Sequence, residues 1–314
     1  MTNQFFILIN FIKMEYYPKF KVPDKKKRIE AIGPISNLPE NTLKKILSSA
    51  DNYHNPVSTP SENDWLHNQS ENGQTFSQFL SDNSNKKLGN RKTIYINPLQ
   101  KMEENFLKNC LLYCKAFFYP MKVEIVNLAS LKSLHIESRI NEYTNKIQYH
   151  AGEINSKMSK LVPNDAHCVL SILLDDLYPK KEWNFVFGQA SYYNRVGVFS
   201  FARFNPKFWD EEGPTNLENY LLYRSCSTLV HEICHTFGIK HCIFYSCLMN
   251  GSNTLEEQAK RPLIECPVCF RKLQYSIGFD PLERYTQLMN VSKSFGGYFE
   301  NASKWYENRI NSLK

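Results

Sequence analysis

Two histidines, a glutamate, a glycine and a third histidine stand in the run His231-Glu232-Ile233-Cys234-His235-Thr236-Phe237-Gly238-Ile239-Lys240-His241. Their types and spacing suit a zinc centre that hydrolyses bonds, peptide bonds foremost. On one α-helix His231 and His235 lie about one turn apart, so both imidazoles leave the same face and can reach one metal. Glu232, beside the first ligand, stands where a general base must be to act on water at the metal. Gly238 readily takes the left-handed conformation that ends helices, and the turned chain can return His241 as a third ligand. Three nitrogen donors leave one coordination position open, the mark of a catalytic rather than a structural zinc. The HExxH pattern alone is weak, whereas the full pattern is strong. An amphipathic core helix with surface histidines is the plain alternative, since Leu222, Cys226, Leu229, Ile233 and Phe237 supply an apolar stripe at helical spacing. The two are compatible, because a helix that carries metal ligands must itself be packed rigidly.

Cys242 adjoins the third histidine, Cys247 follows, and Cys266-Pro267-Val268-Cys269 forms a CxxC pair beyond an intervening loop. Two close pairs of thiolates are what a tetrahedral structural zinc requires. Disulfides or free buried thiols are the alternatives. Zinc is favoured because the CxxC pair sits in a small loop with little else to hold its geometry. Met249, in Leu248-Met249-Asn250, is placed to form a hydrophobic base beneath the catalytic metal, although a lone methionine is ordinarily core filler.

Taken together, these residues resemble the archaemetzincins, zinc peptidases of the metzincin clan, and the eukaryotic type 2 form more than the archaeal proteins. The run HExxHxxGxxHC, then a cysteine, then a methionine two residues on, then CxxC, is similar to that family's signature. Ile147-Gln148, residues 150–154, Asp176-Leu177-Tyr178-Pro179, residues 183–191 and residues 199–203 resemble further blocks, so the likeness spans roughly residues 90 to 290. It implies two Zn2+ ions: a catalytic one on His231, His235 and His241 with Glu232 as base and Met249 as the Met-turn methionine, and a structural one on Cys242, Cys247, Cys266 and Cys269. It further implies cleavage of peptide bonds, with aminopeptidase-like action on short peptides. Two departures stand out: Cys234 occupies a position that is commonly glycine, and the loop from Asn250 to Glu265 is slightly shorter than in archaeal members. Neither removes a ligand. A Cys234 thiol aimed at the metal would compete for the open position; a small buried side chain is the plainer reading.

With 314 residues, 42% hydrophobic and 14% aromatic, the chain can bury a sizeable core. Much of its net charge of +7 lies in Lys19, Lys21 and Lys25-Lys26-Lys27-Arg28, which reads as a solvated charge run, with a nuclear-import signal or an acidic partner as the alternative. Nine cysteines, four of them needed as reduced thiolates and two, Cys110 and Cys114, read as core, suit the cytoplasm or nucleus better than a secretory route. Asn68, Asn250, Asn290 and Asn301 match the glycosylation pattern by chance, since a glycan on Asn250 would collide with the Met-turn. The apolar run Phe5 to Ile12 lacks a basic residue before it and a cleavage site after it, and Met14 is a candidate functional start. No run is long and apolar enough to cross a membrane. The expected partner is a peptide or protein substrate, with no membrane and no nucleic acid, and the chain is expected to be a monomer. The rival reading is a non-enzymatic zinc scaffold in which the basic run and CxxC bind a protein or nucleic acid; Glu232, which a structural metal site would not need, argues against it.

The elements that must position these residues follow from periodicity. Residues 1–90 read as an N-terminal extension, with a helix from 40 to 50 and an irregular surface stretch from Asp51 to Asn90. Residues 91–314 read as the catalytic domain: strands at 92–96, 121–126, 146–149, 168–174, 185–187 and 196–201, helices at 99–118, from Gly152, and at 281–289 and 302–313, and a long metal helix at 215–237. No internal repeat is evident. The alternation predicts an α/β (α+β) fold, a mixed twisted sheet packed with helices; the resemblance implies a metzincin-like zincin domain with the four-cysteine zinc segment after the active-site helix. The resemblance puts the strand at 196–201 on the sheet edge above the cleft, antiparallel to its neighbours, where it can accept an extended peptide; an interior strand is the alternative.

Overall fold

The computed structural model describes residues 20–39, 41–82, 87–191 and 193–314. Lys19, the Phe5 to Ile12 run and Met14 lie outside the described residues. Five short helices come first: α1 (Lys25–Ile32), α2 (Thr42–Ser48), α3 (Ala50–Tyr53), α4 (Trp65–Asn68) and α5 (Phe76–Ser81). Then follow β1 (Thr93–Pro98), α6 (Glu104–Phe117), β2 (Lys122–Ile125), α7 (Leu131–Leu134), β3 (Ser138–Ile140), β4 (Ile147–His150) and α8 (Ala151–Met158). After them come β5 (Ala166–Leu173), β6 (Asp176–Tyr178), β7 (Gly188–Ala190) and β8 (Val196–Ser200). The chain closes with α9 (Leu217–Thr236), α10 (Leu255–Lys260), α11 (Pro267–Ile277), α12 (Pro281–Phe295) and α13 (Glu300–Leu313).

One sheet has the order β2-β1-β5-β8-β7, all parallel except β7, and a smaller one has the order β3-β4-β6. Every residue of β5 is buried, because it is a central strand covered on both faces. Its side chains alternate between two cores: Cys168, Leu170 and Ile172 face the one that holds α6 and α9, while Val169 and Leu173 face the one that holds Ala151, Ile154 and Met158 of α8. Helix α9 therefore rests on β5, β8 and β7, with α6 along its flank.

Three expectations need correction. The strand at 196–201 is interior, parallel to β5, and the edge is β7, which folds back antiparallel through a tight turn with Arg195 at φ 60°. Phe185 to Phe187 is not a strand: Phe185 lies under the Arg203 guanidinium, 3.7 Å from ring centroid to Cζ, and the ladder begins only at Gly188. Helix α6 starts at Glu104 rather than Leu99, because the Glu103 carboxylate caps the N–H groups of Asn105 and Phe106 while Leu99 N–H still donates to Ile172 O on the sheet.

The described residues before β1 are more ordered than their composition suggests. Lys25 to Lys27 are exposed, but Arg28 is buried and pairs with Asp51 at 3.1 Å, and Ala31, Ile32, Ile46, Leu47, Phe76 and Phe79 enter the same core as α9. The stretch from Asp51 to Asn90 carries α3, α4 and α5, and residues 55–57 run antiparallel to residues 244–246, with Ser246 N–H donating to Asn55 O and Val57 N–H to Phe244 O. Cys110 and Cys114 are core residues, as expected.

His167 on β5 is fully buried, its ring stacked on Phe237 at 3.8 Å. Burial, helped by Arg91 and Arg195, depresses its pKa to about 3. The unfolded chain then binds a proton below the ordinary value that the folded chain refuses, so stability present above about pH 6.5 is lost as the pH falls toward 3. Between pH 7 and pH 5 the wild type should lose about 2 kcal/mol more than His167→Gln in urea unfolding. An equal loss in both proteins would overturn this assignment.

Candidate metal centre

Asn216 opens α9 by accepting from Asn219 N–H, and Gly238, at φ 83°, closes it with its N–H on His235 O at 2.8 Å. The last two turns carry His231 and His235, and the chain beyond the glycine brings back His241. Ligand nitrogens of the three histidines all lie within 4.8 Å of one another.

Each ring commits one nitrogen to an acceptor. His231 Nδ1 lies 2.9 Å from Leu248 O, His235 Nδ1 2.7 Å from Ile239 O, and His241 Nδ1 2.8 Å from Glu71 Oε1. Carbonyl and carboxylate oxygens only accept, so these contacts favour the Nδ1–H tautomer and turn the Nε2 atoms toward one another; at His231 the Arg261 guanidinium, a donor 3.0 Å from the same Nδ1, competes with Leu248 O. Burial keeps His231 and His235 neutral, the latter with its pKa lowered to about 3. The Nε2 atoms of His231 and His235 face each other at 3.0 Å, a repulsive arrangement for two lone pairs unless a cation lies between them. Tetrahedral zinc, with Zn–N near 2.0–2.1 Å, separates nitrogen ligands by about 3.3 Å, so the donor set fits the metal.

Next to this centre the sulfurs of Cys242, Cys247, Cys266 and Cys269 also lie within 4.8 Å of one another, and none of the nine cysteines is in a disulfide. Cys242 and Cys266 are 3.5 Å apart at Sγ, near the roughly 3.8 Å that tetrahedral zinc–thiolate geometry gives. Cys247 Sγ accepts from the N–H groups of Met249 and Cys266, at 3.4 and 3.2 Å. Burial would raise Cys242, but hydrogen bonds from the other three thiols hold it well below the ordinary thiol value. Burial raises Cys266, and hydrogen bonding to the Cys242 sulfur, above all, raises Cys269. Four thiolates this close together repel one another, so a cation is needed to hold all four ionised.

Glu232 is buried, its carboxyl raised to about 7 by desolvation with Arg261 opposing. Met249 is fully buried, and its carbonyl accepts from Cys242 N–H at 2.8 Å. Cys234 belongs to neither cluster: about 100° further round the helix than Ile233, it is buried in the apolar core and feels Glu265, Arg284 and Cys114. Asn250 cannot carry a glycan, because its side chain is spent on Cys242 O, Tyr245 O and Cys247 N–H.

The motif did not reveal Glu71, Arg261 or Gly188. Arg261, buried, donates to Asn250 O at 3.1 Å beside His231, with its pKa lowered to about 10 by burial. Gly188 begins the edge strand against the base: a Cβ there would stand 2.9 Å from the Glu232 carboxyl carbon. Only its place at the head of Gly188-Gln189-Ala190 hinted at this.

Residues 146–275 match Peptidase family M54. Archaemetzincin-2 of Pongo abelii is 39% identical over 279 residues, 80% of this chain and 78% of its own length. Archaemetzincin-2 of Homo sapiens is 36% identical over 89% of this chain and 82% of its own. Among solved structures, the archaemetzincin of Methanopyrus kandleri superposes with a TM-score of 0.48 at 24% identity, covering 61% of this chain and 98% of that one. The chain is a zinc metallopeptidase. More particularly, it belongs to the archaemetzincin family.

Because Gly188 leaves the space in front of the base, Gly188→Ala should lower kcat/KM on peptides by on the order of 100-fold with zinc content unchanged. Metal analysis and kinetics on the same preparation check this; undiminished turnover would mean that the strand does not bound the reaction space.

Proposed function

We propose that His231, His235 and His241 hold a catalytic zinc through Nε2, that Cys242, Cys247, Cys266 and Cys269 hold a second, structural zinc, and that Glu232 is the general base of peptide-bond hydrolysis. The observation that carries this reading is the convergence of the three histidines, whose ligand nitrogens lie within 4.8 Å of one another, each ring with an acceptor at Nδ1, beside a buried carboxyl. When bound, zinc there polarises the scissile carbonyl and acidifies water at the position the three nitrogens leave open. Glu232 takes the proton of the attacking water and passes it to the leaving amine. Met249, on the turn tied to Cys242, is the methionine of the Met-turn.

The substrate is a peptide lying along β7. Ser200 N–H donates to Phe187 O and Ser191 N–H to Val196 O, so this register turns the N–H and C=O of Gly188 and Ala190 away from β8. An extended backbone can add there as one more strand, starting beside Glu232. Short peptides and aminopeptidase-like cleavage are the mode that the family suggests, tested by comparing free and N-acetylated peptides. Four thiolate ligands fit the cytoplasm or nucleus, and among the described residues no helix is long and apolar enough to cross a membrane.

Purified protein should contain two zinc ions, and Glu232→Ala should retain both while turnover on a peptide library falls by about 100- to 10,000-fold. Unchanged hydrolysis by that variant would sink the mechanism. Cys269→Ser should lose one zinc and also weaken turnover, although it touches no histidine; one zinc in the wild type would sink the four-cysteine assignment instead.

A further inference from the structure

Residues 65–74 lie on the catalytic centre although about 170 positions separate them from it. Glu71 Oε1 accepts from His241 Nδ1 and from the Trp65 indole N–H, each at 2.8 Å. The Trp65 ring meets His241 edge-on at 5.2 Å between centroids, and a Cβ on Gly251 would stand 2.5 Å from it. Glu257 fixes this tryptophan by accepting from its backbone N–H at 2.9 Å. Further along, the Gln74 amide donates to Gly238 O at 3.0 Å and accepts from Lys240 N–H at 3.2 Å. The buried Lys272 ammonium donates to the Gln74 carbonyl and, at 3.1 Å, to its side-chain oxygen.

We propose that this strap is a component of the catalytic zinc centre and that Glu71 is the positioning residue of His241. The inference deepens the function proposed above and rests on it. His231 and His235 are placed by α9, and their Nδ1 protons go to backbone carbonyls that the ligand segment itself supplies. His241 stands beyond the helix, on a turn that begins at a glycine, so no regular element fixes its ring. The strap grips that turn at Gly238 and Lys240 through Gln74, and at the imidazole through Glu71. An acceptor-only carboxylate holds the Nδ1–H tautomer, aims Nε2 at the other two histidines, and makes the ring a stronger donor than a carbonyl partner would.

The test is zinc retention by the holoenzyme under graded dipicolinate, read by metal analysis. Glu71→Gln keeps the size of the side chain but replaces the acceptor with an amide that can turn its N–H toward the ring. The chelator concentration that strips the more labile zinc should fall about 10- to 100-fold, with the second zinc retained. Trp65→Phe, which keeps an aromatic ring but drops the indole N–H together with part of the ring, should give a smaller loss in the same direction. Thr75→Ala, which breaks the cap of α5 in the same segment without touching His241, should match the wild type. Wild-type zinc retention in Glu71→Gln or, should that variant not fold, in Trp65→Phe would overturn the proposal, and so would equal losses in Glu71→Gln and Thr75→Ala. A wild type that contains no zinc before chelation would instead overturn the function proposed above.

Discussion

A neutral imidazole has one proton and one lone pair, and when the ring is buried both need a destination. That constraint organises the metal centre. His231 and His235 sit in an interior that excludes the imidazolium, so the only choice left is which nitrogen carries the proton. The fold settles it by bringing an acceptor to every Nδ1, and the acceptors come from three places: the turn after the helix, the loop of the cysteine cluster, and a strap from the first ninety residues. Each must be in position before three lone pairs can converge. The helix alone delivers two histidines at the right spacing and leaves both tautomers open.

From this follows the link between the two clusters. Leu248, whose carbonyl takes the His231 proton, lies between Cys247 and Met249, and its own N–H donates to Ile264 O two residues before Cys266. Cys242 N–H donates to Met249 O, and the Asn250 side chain spans Cys242, Tyr245 and Cys247. The loop that presents Leu248 O is thus closed at both ends by cysteine ligands. A metal on the four sulfurs, as proposed, would fix the carbonyl that accepts from His231, which would be a physical reason for the two sites to share one segment.

What could be read from the sequence divides along the same line. The histidine spacing, the glycine after the helix and the two cysteine pairs were legible because they are local: the helical period, the left-handed cap and short ligand loops act over a few residues. The α/β alternation and the continuous apolar run of β5 were legible for that reason too. Which strand lies at the sheet edge was not, since Val196 to Phe201 has the composition of a buried strand whether β7 covers its flank or not. Of the helices before β1, the one expected at 40–50 is α2, whereas α3 and α4 were hidden because they are a single turn each, too short for periodicity, and α1 because its lysines mask the buried Ala31 and Ile32. Glu71 gave no signal at all: one acidic residue in a polar stretch becomes informative only when the fold sets it against His241.

Arg261 shows how the charges of the centre are balanced. A guanidinium buried 3.0 Å from a metal-binding imidazole is unfavourable twice over, through desolvation and through repulsion from any cation on that histidine. Its surroundings offset this: Glu232, Glu257 and Cys247 all favour its charge, while Arg224 opposes it. Were the cysteine cluster to hold Zn2+ as proposed, four thiolates on it would carry a net charge of about −2 and add to the field that retains the arginine. Arg261 in turn favours the ionised form of Glu232 against the burial that raises it.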